Sequence, residues 1–139
     1  MHEWALAETV VATVLKVADE QDLRAVTTIV VALGKLQQIE KEIFRFAIRE
    51  MIRPHGRRFK KTRIRIRDES AMFKCRVCGH TWKYSGAVKK LNTETTEAIH
   101  FVPEVVHAYL GCPECRSPDF DIVQGRGMSI DSITGERNE

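Results

Sequence analysis

The run Ala25-Val-Thr-Thr-Ile-Val-Val-Ala-Leu33, stopped by Gly34, is short and rich in β-branched side chains. Such side chains suit a pleated, enclosed surface, so the run predicts a buried strand. Before it, Leu6, Val10, Val14 and Val17 step by fours and threes, and Ala7, Val11 and Ala18 widen the stripe. That spacing predicts an amphipathic helix over 3–18, starting almost at Met1 and ended by Asp19-Glu20-Gln21-Asp22. After it, Ile39, Ile43, Phe44, Ala47, Ile48 and Met51 share one side of a second helix over 40–52. Arg53-Pro54-His55-Gly56 breaks that helix. Thr62 to Asp68 then alternates, with Arg63, Arg65 and Arg67 on one face and Ile64 and Ile66 on the other. This predicts a half-buried strand that runs on through Ala71, Met72 and Phe73 to Cys75. Phe120–Val123 and Met128–Ile133 predict two further strands, with Gln124-Gly125-Arg126-Gly127 as a hairpin turn. Gly135 to Glu139 is polar and expected to fray. The element order predicts an α+β fold, with two helices packed on a mixed three-stranded or slightly larger sheet. The cysteine-bearing stretch between the strands is an inserted excursion.

The chain has 139 residues, 43% hydrophobic and 29% charged, which is globular composition and excludes a disordered chain. No apolar run approaches the roughly 20 residues of a membrane span. Met1-His2-Glu3-Trp4 lacks the basic start and apolar core of a signal peptide, so a cytoplasmic location is expected. Four cysteines in a reducing compartment point to metal or redox chemistry rather than disulfides.

Cys75-Arg-Val-Cys78 and Cys112-Pro-Glu-Cys115 are two CxxC knuckles. Each places two thiolates on one side of an ion, and together they supply the four tetrahedral sulfur donors that zinc prefers. Gly79 allows a tight turn after the first knuckle, and Pro113 stiffens the second. A redox pair fits less well, because a redox CxxC sits at a helix start in a βαβ setting. An iron–sulfur cluster shares the ligand set and is a minor competitor. The formal charge of +3 becomes +1 once four thiolates and one Zn(II) are counted. Such a site is closed to substrate, so it accounts for folding and leaves activity to be found elsewhere.

Met1-His2-Glu3 is the other metal-ligating pattern. An α-amino group, the His2 backbone nitrogen and its imidazole together form two fused chelate rings in one plane. Planar nitrogen donors suit Ni(II) or Cu(II), with one position left for a further ligand. Glu3 offers a backbone nitrogen or a carboxylate. The large His2 side chain discourages removal of Met1. The plain alternative is an idle surface histidine, with Glu3 a first-turn carboxylate favoured by the helix dipole.

In order and spacing, these motifs resemble the HypA family of hydrogenase nickel-incorporation proteins. The matching residues are Met1-His2-Glu3 before an amphipathic helix, Val30-Val31-Ala32-Leu33-Gly34, the two knuckles, and Ile130-Asp131-Ser132-Ile133 near the end. The resemblance covers nearly the whole chain. It implies a nickel metallochaperone rather than an enzyme. It implies Ni(II) as cargo at His2, with Met1 and Glu3 as further donors, and structural Zn(II) on Cys75, Cys78, Cys112 and Cys115. It further implies a HypB-type GTPase as partner and the large-subunit precursor of [NiFe] hydrogenase as recipient. The implied organisation is a nickel-binding α/β domain of 1–71 plus 119–139 and a zinc-ribbon-like module of 72–118. A long excursion between sheet strands also permits a homodimer by swapping.

The 33 residues between the knuckles exceed the spacing of many family members, and Lys89 to Leu110 resembles the longer archaeal form. Asn92 or Thr93 is placed to cap a helix carrying Glu94, Glu97 and His100, and Pro103 starts a second turn carrying His107. His100 is the preferred fourth nickel donor, since it lies near the Pro103 bend, with His107 the alternative. Arg53 to Arg67 holds eight basic and no acidic residues. It reads as a solvated strand face, then as a docking surface for an acidic partner, and last as a nucleic-acid interface, because Phe59 and Phe73 are its only nearby aromatics. The competing function is therefore a zinc-ribbon nucleic-acid- or protein-binding module that uses this stretch. No Ser-His-Asp pattern, Walker loop or dinucleotide fingerprint is present.

Overall fold

A computed structural model describes residues 2–37, 39–87 and 91–138. The order is α1 (Glu3–Glu20), β1 (Leu23–Gly34), α2 (Lys41–Ile52), a 3-10 stretch (Arg53–Phe59), β2 (Arg63–Glu69), β3 (Met72–Cys75) and β4 (Thr81–Lys83). There follow α3 (Tyr84–Ala87), α4 (Thr93–Phe101), a 3-10 turn (Pro103–Val105), α5 (Val106–Tyr109), β5 (Phe120–Gln124) and β6 (Met128–Arg137). The strands form two three-stranded sheets, ordered β2-β1-β6 and β4-β3-β5. The chain divides into two compact units: 1–32, 39–67 and 128–139 in one, 33–38 and 68–127 in the other.

The first unit is organised around β1. Thr62 Oγ1 donates to the Val26 carbonyl at 2.6 Å, and Lys35 N donates to the Glu69 carbonyl at 2.9 Å. Low numbers pair with low and high with high, so β1 and β2 run parallel, with α2 in the crossover that parallel strands require. Gly34 N donates to Gly127 O at 2.7 Å, and Asn138 N donates to Asp22 O at 3.0 Å, so β6 runs antiparallel to β1. The sheet is therefore mixed, as the sequence predicts. The helices pack on each other, burying Ala7, Val10, Val11, Val14 and Ala18 of α1 against the side of α2 that carries Phe44, Ala47 and Ile48. Leu6 and Val17, expected in the centre of the stripe, are only half-buried, while Ala7 and Ala18 are enclosed. Small side chains at the contact let two helices approach closely. The C-terminus does not fray at Gly135. Strand pairing reaches Arg137, whose guanidinium donates to Gln21 Oε1 at 2.9 Å.

In the second unit β3 pairs antiparallel with both β4 and β5. Phe73 is fully buried, with ring centroids 5.0 Å from Phe120, 5.5 Å from Trp82 and 6.0 Å from Tyr84. Leu36, Ile99 and Val106 complete this core. The Asn92 side chain accepts from Thr95 N at 2.7 Å and caps α4, as expected.

Two expectations about connectivity are corrected. The predicted long strand ends at Glu69, and Met72–Cys75 pairs in the other sheet. Nor do Phe120–Val123 and Met128–Ile133 form a hairpin, because β5 and β6 belong to different sheets. The link between them is held by other segments: Leu36 N donates to Gly125 O at 3.1 Å, and Gly125 N donates to Glu69 Oε1 at 3.1 Å. A Cβ on Gly34 would lie 2.1 Å from Gly125 O, and one on Gly125 would lie 2.3 Å from Ala71 Cα. Three backbone passages are thus in contact where the hairpin turn was expected.

Candidate metal centre

The first knuckle follows from the β3–β4 hairpin. Cys75 N donates to His80 O at 2.8 Å, and Gly79 N returns to Cys75 O at 3.0 Å. Gly79 has φ of 79°, a conformation glycine takes without steric cost. The second knuckle closes through Arg116 N to Cys112 O at 2.7 Å and Cys112 N to Ser117 O at 2.9 Å. Arg76 joins the two: its backbone N donates to Asp119 O at 3.0 Å, and its guanidinium Nε donates to Asp121 Oδ1 at 2.8 Å. That guanidinium holds the Asp121 carboxyl below the usual aspartate range.

The four Sγ atoms all lie within 4.8 Å of one another. Cys75–Cys115 and Cys78–Cys112 are each 3.5 Å apart. No disulfide forms, since a bonded pair stands at about 2.05 Å. A tetrahedron with metal–sulfur bonds of about 2.3 Å has edges of about 3.8 Å. The sulfurs therefore fit one tetrahedral ion with little movement. Cys75 and Cys112 are buried, while Cys78 and Cys115 face solvent. The Cys78 and Val77 amides donate to Cys75 Sγ at 3.4 and 3.3 Å and bring its thiol down to about 7. At Cys78 the His80 amide works in the same direction, but partial desolvation and the neighbouring sulfurs outweigh it and push the thiol up to about 12. One thiolate thus forms easily, and an ion is needed to hold four. Among the described residues this is the one group of three or more His, Cys, Asp or Glu able to hold a metal. His80 is not in it; its ring stacks on Trp82 at 6.1 Å and an interplanar angle of 9°.

At the other predicted site, Met1 lies outside the described residues. His2 is exposed and stands at the N-cap of α1, with no capping bond from its side chain, while its carbonyl accepts from Leu6 N at 2.9 Å. Glu3 is buried, and its Oε2 accepts from the Glu40 amide at 3.0 Å. Burial works to raise the Glu3 pKa, but hydrogen bonds and a nearby positive charge outweigh it and leave it lowered. The carboxylate is therefore committed to the N-terminus of α2, a tie across 37 residues that no local sequence pattern announces. His107 packs its ring 4.3 Å from that of Phe120, with Nδ1 3.0 Å from Pro118 O. His100 lies on α4 with its Nδ1 buried and without a hydrogen-bond partner among the described residues. The basic stretch is partly spoken for. Arg53 pairs with Glu50, Arg58 with Asp19 and Arg67 with Asp131, leaving Arg63 and Arg65 exposed on β2.

The four-cysteine centre defines a small protein able to hold a metal ion. A sequence profile of the family described as hydrogenase/urease nickel incorporation, metallochaperone, HypA matches residues 1–135. The hydrogenase maturation factor HypA of Pyrococcus furiosus is 45% identical over 137 residues, covering 99% of this chain and 97% of that protein. Its counterpart in Thermococcus gammatolerans is 44% identical over the same length and shares. In fold, the chain is similar to the solution structure of the Ni metallochaperone HypA from Helicobacter pylori. The TM-score is 0.65 at 22% identity, over 99% of this chain and 100% of that one. The chain belongs to the HypA family of nickel-incorporation metallochaperones. Among the described residues no helix is long and apolar enough to cross a membrane.

Proposed function

We propose that this chain binds Ni(II) at Met1-His2-Glu3 and delivers it to the large-subunit precursor of [NiFe] hydrogenase, working with a HypB-type GTPase. Zn(II) is the ion on Cys75, Cys78, Cys112 and Cys115. There it fixes the two knuckles and supplies no open coordination position. In this reading the unit that holds α1, α2 and β6 binds nickel, and the unit that holds the two knuckles is the zinc-binding module. The observation that carries the reading is His2, exposed and without a capping bond at the head of α1, in a chain whose family incorporates nickel. The amine, the His2 amide and the imidazole supply three planar nitrogens. Because the Glu3 carboxylate is engaged with Glu40, Glu3 competes for the one remaining position only through its main chain. His100 is the preferred histidine for that position, with His107 the alternative. A site with few donors at a chain end releases its ion readily, which handover requires.

The test is calorimetric Ni(II) titration of the zinc-loaded protein in two forms, one with the native Met1 amine and one with two residues added before it. Binding by the first and loss in the second supports the reading. Equal binding by both moves the site away from Met1-His2-Glu3. If His100→Ala binds nickel as the parent does, alone and with the GTPase, His100 is not the fourth donor.

A further inference from the structure

The end of α2 and the 3-10 stretch that follows it enclose a hollow of about 440 Å³. Arg49, Arg53, Arg57 and Lys60 line it, over an apolar floor of Ile52 and Phe59, both buried. No acidic side chain lines it. Arg53 pairs with Glu50 at 3.1 Å, while Arg49, Arg57 and Lys60 have no ion pair among the described residues. Gly56 also lines the hollow, with φ of 72° and ψ of −137°. A Cβ there would meet nothing within 4 Å. The glycine therefore serves the backbone turn and not close packing. Through that turn the cations on both sides of Gly56 line one concavity.

We propose that this hollow is a docking site for an acidic segment of a partner protein, its carboxylates on the arginine and lysine rim and an apolar side chain over Ile52 and Phe59. Charge complementarity carries the argument: three unpaired cations in one concavity need anions, and guanidinium groups take carboxylates bidentately. Four cations spread over more than a helical turn, about 5.4 Å of rise, exceed what one small inorganic anion neutralises. Single-stranded RNA fits less well. Successive bases need several aromatic faces to stack on, and Phe59 is the one aromatic ring in the lining. The site is independent of Met1-His2-Glu3, so nickel binding is unaffected when it fails.

The probe is a labelled, end-capped peptide, Glu-Asp-Leu-Glu-Asp-Glu, followed by fluorescence anisotropy on the zinc-loaded full chain. Arg49→Gln with Arg57→Gln is compared with Arg63→Gln and Arg65→Gln on β2, which removes the same charge elsewhere. The hollow pair is expected to weaken peptide binding about tenfold and the β2 pair by less than about twofold, with loss of binding as salt rises. Circular dichroism checks folding, and Lys60→Gln stands in for the hollow pair if the double variant unfolds. Equal weakening by both pairs overturns the proposal, since binding then follows net charge alone. So does absence of peptide binding at low salt. An oligouridylate probe that binds more tightly than the peptide, and loses affinity in the same hollow variants, makes the surface a nucleic-acid site instead.

Discussion

Glu3 carries both a structural tie and a place in the proposed nickel site. The residue is 6% exposed, and its carboxylate accepts from the amide of Glu40, the N-cap of α2. An N-terminal amide that loses a carboxylate partner loses a charge-assisted hydrogen bond and its interaction with the helix dipole. Glu3→Ala is therefore expected to lower unfolding free energy by about 1–3 kcal/mol. Urea unfolding of zinc-loaded, nickel-free protein measures this, and an unchanged midpoint would show that the tie contributes nothing. The same experiment separates two roles that a nickel titration alone would confuse. If Glu3 acts through its main chain, the alanine variant loses stability but keeps nickel affinity.

At the scale of elements, the contact among residues 34–36, 69–71 and 125–127 directs β3 and β5 into one sheet and β6 into the other. Gly125 has φ of 90° and no room for a Cβ against Ala71. Gly125→Ala combines backbone strain with overpacking and is expected to cost about 3 kcal/mol or more. A thermal melt would reveal it, and a melting point within a degree or two of the parent would mean that the contact relaxes freely. What the sequence made legible was local. Helical spacing in 3–18 and 40–52, alternation in 62–68, the Asn92 cap and the cysteine spacing are all patterns within a few residues. Alternation says which face a residue takes but not which strand is its neighbour. For that reason the Gln124–Gly127 turn was expected to close a hairpin. The four cysteines were legible because metal ligation fixes residue type and spacing at once. The hollow was not: Arg49 lies before the basic run, inside α2, and only the turn at Gly56 puts it in one concavity with Lys60.

At the scale of the whole molecule, the second unit interrupts the first. Residues 68–127, sixty in all, leave the first unit after β2 and return to it at β6. While the module is folded, this interruption is a compact body with fixed ends. When its ion is removed, the thiolates repel, the knuckles loosen, and β6 must find β1 across a flexible loop. Closing a loop of that length costs on the order of 4 kcal/mol in chain entropy. Loss of the ion should therefore destabilise the first unit as well, although no cysteine belongs to it. The two tryptophans allow each unit to be followed separately. Trp82 packs between His80, Phe73 and Phe120 in the second unit, and Trp4 lies edge-on to Phe46 in the first. Treatment with a strong chelator is expected to shift Trp82 emission to the red as its packing loosens. In a Trp82→Phe background, where Trp4 alone reports, the melting point is expected to fall by more than about 10 °C on chelation. Cys112→Ser should reproduce that fall without chelator, because it removes a buried ligand. A Trp4 melting point that stays constant while Trp82 responds would mean that the first unit folds independently of the module inserted into it. The four-cysteine centre would then hold only the second unit together.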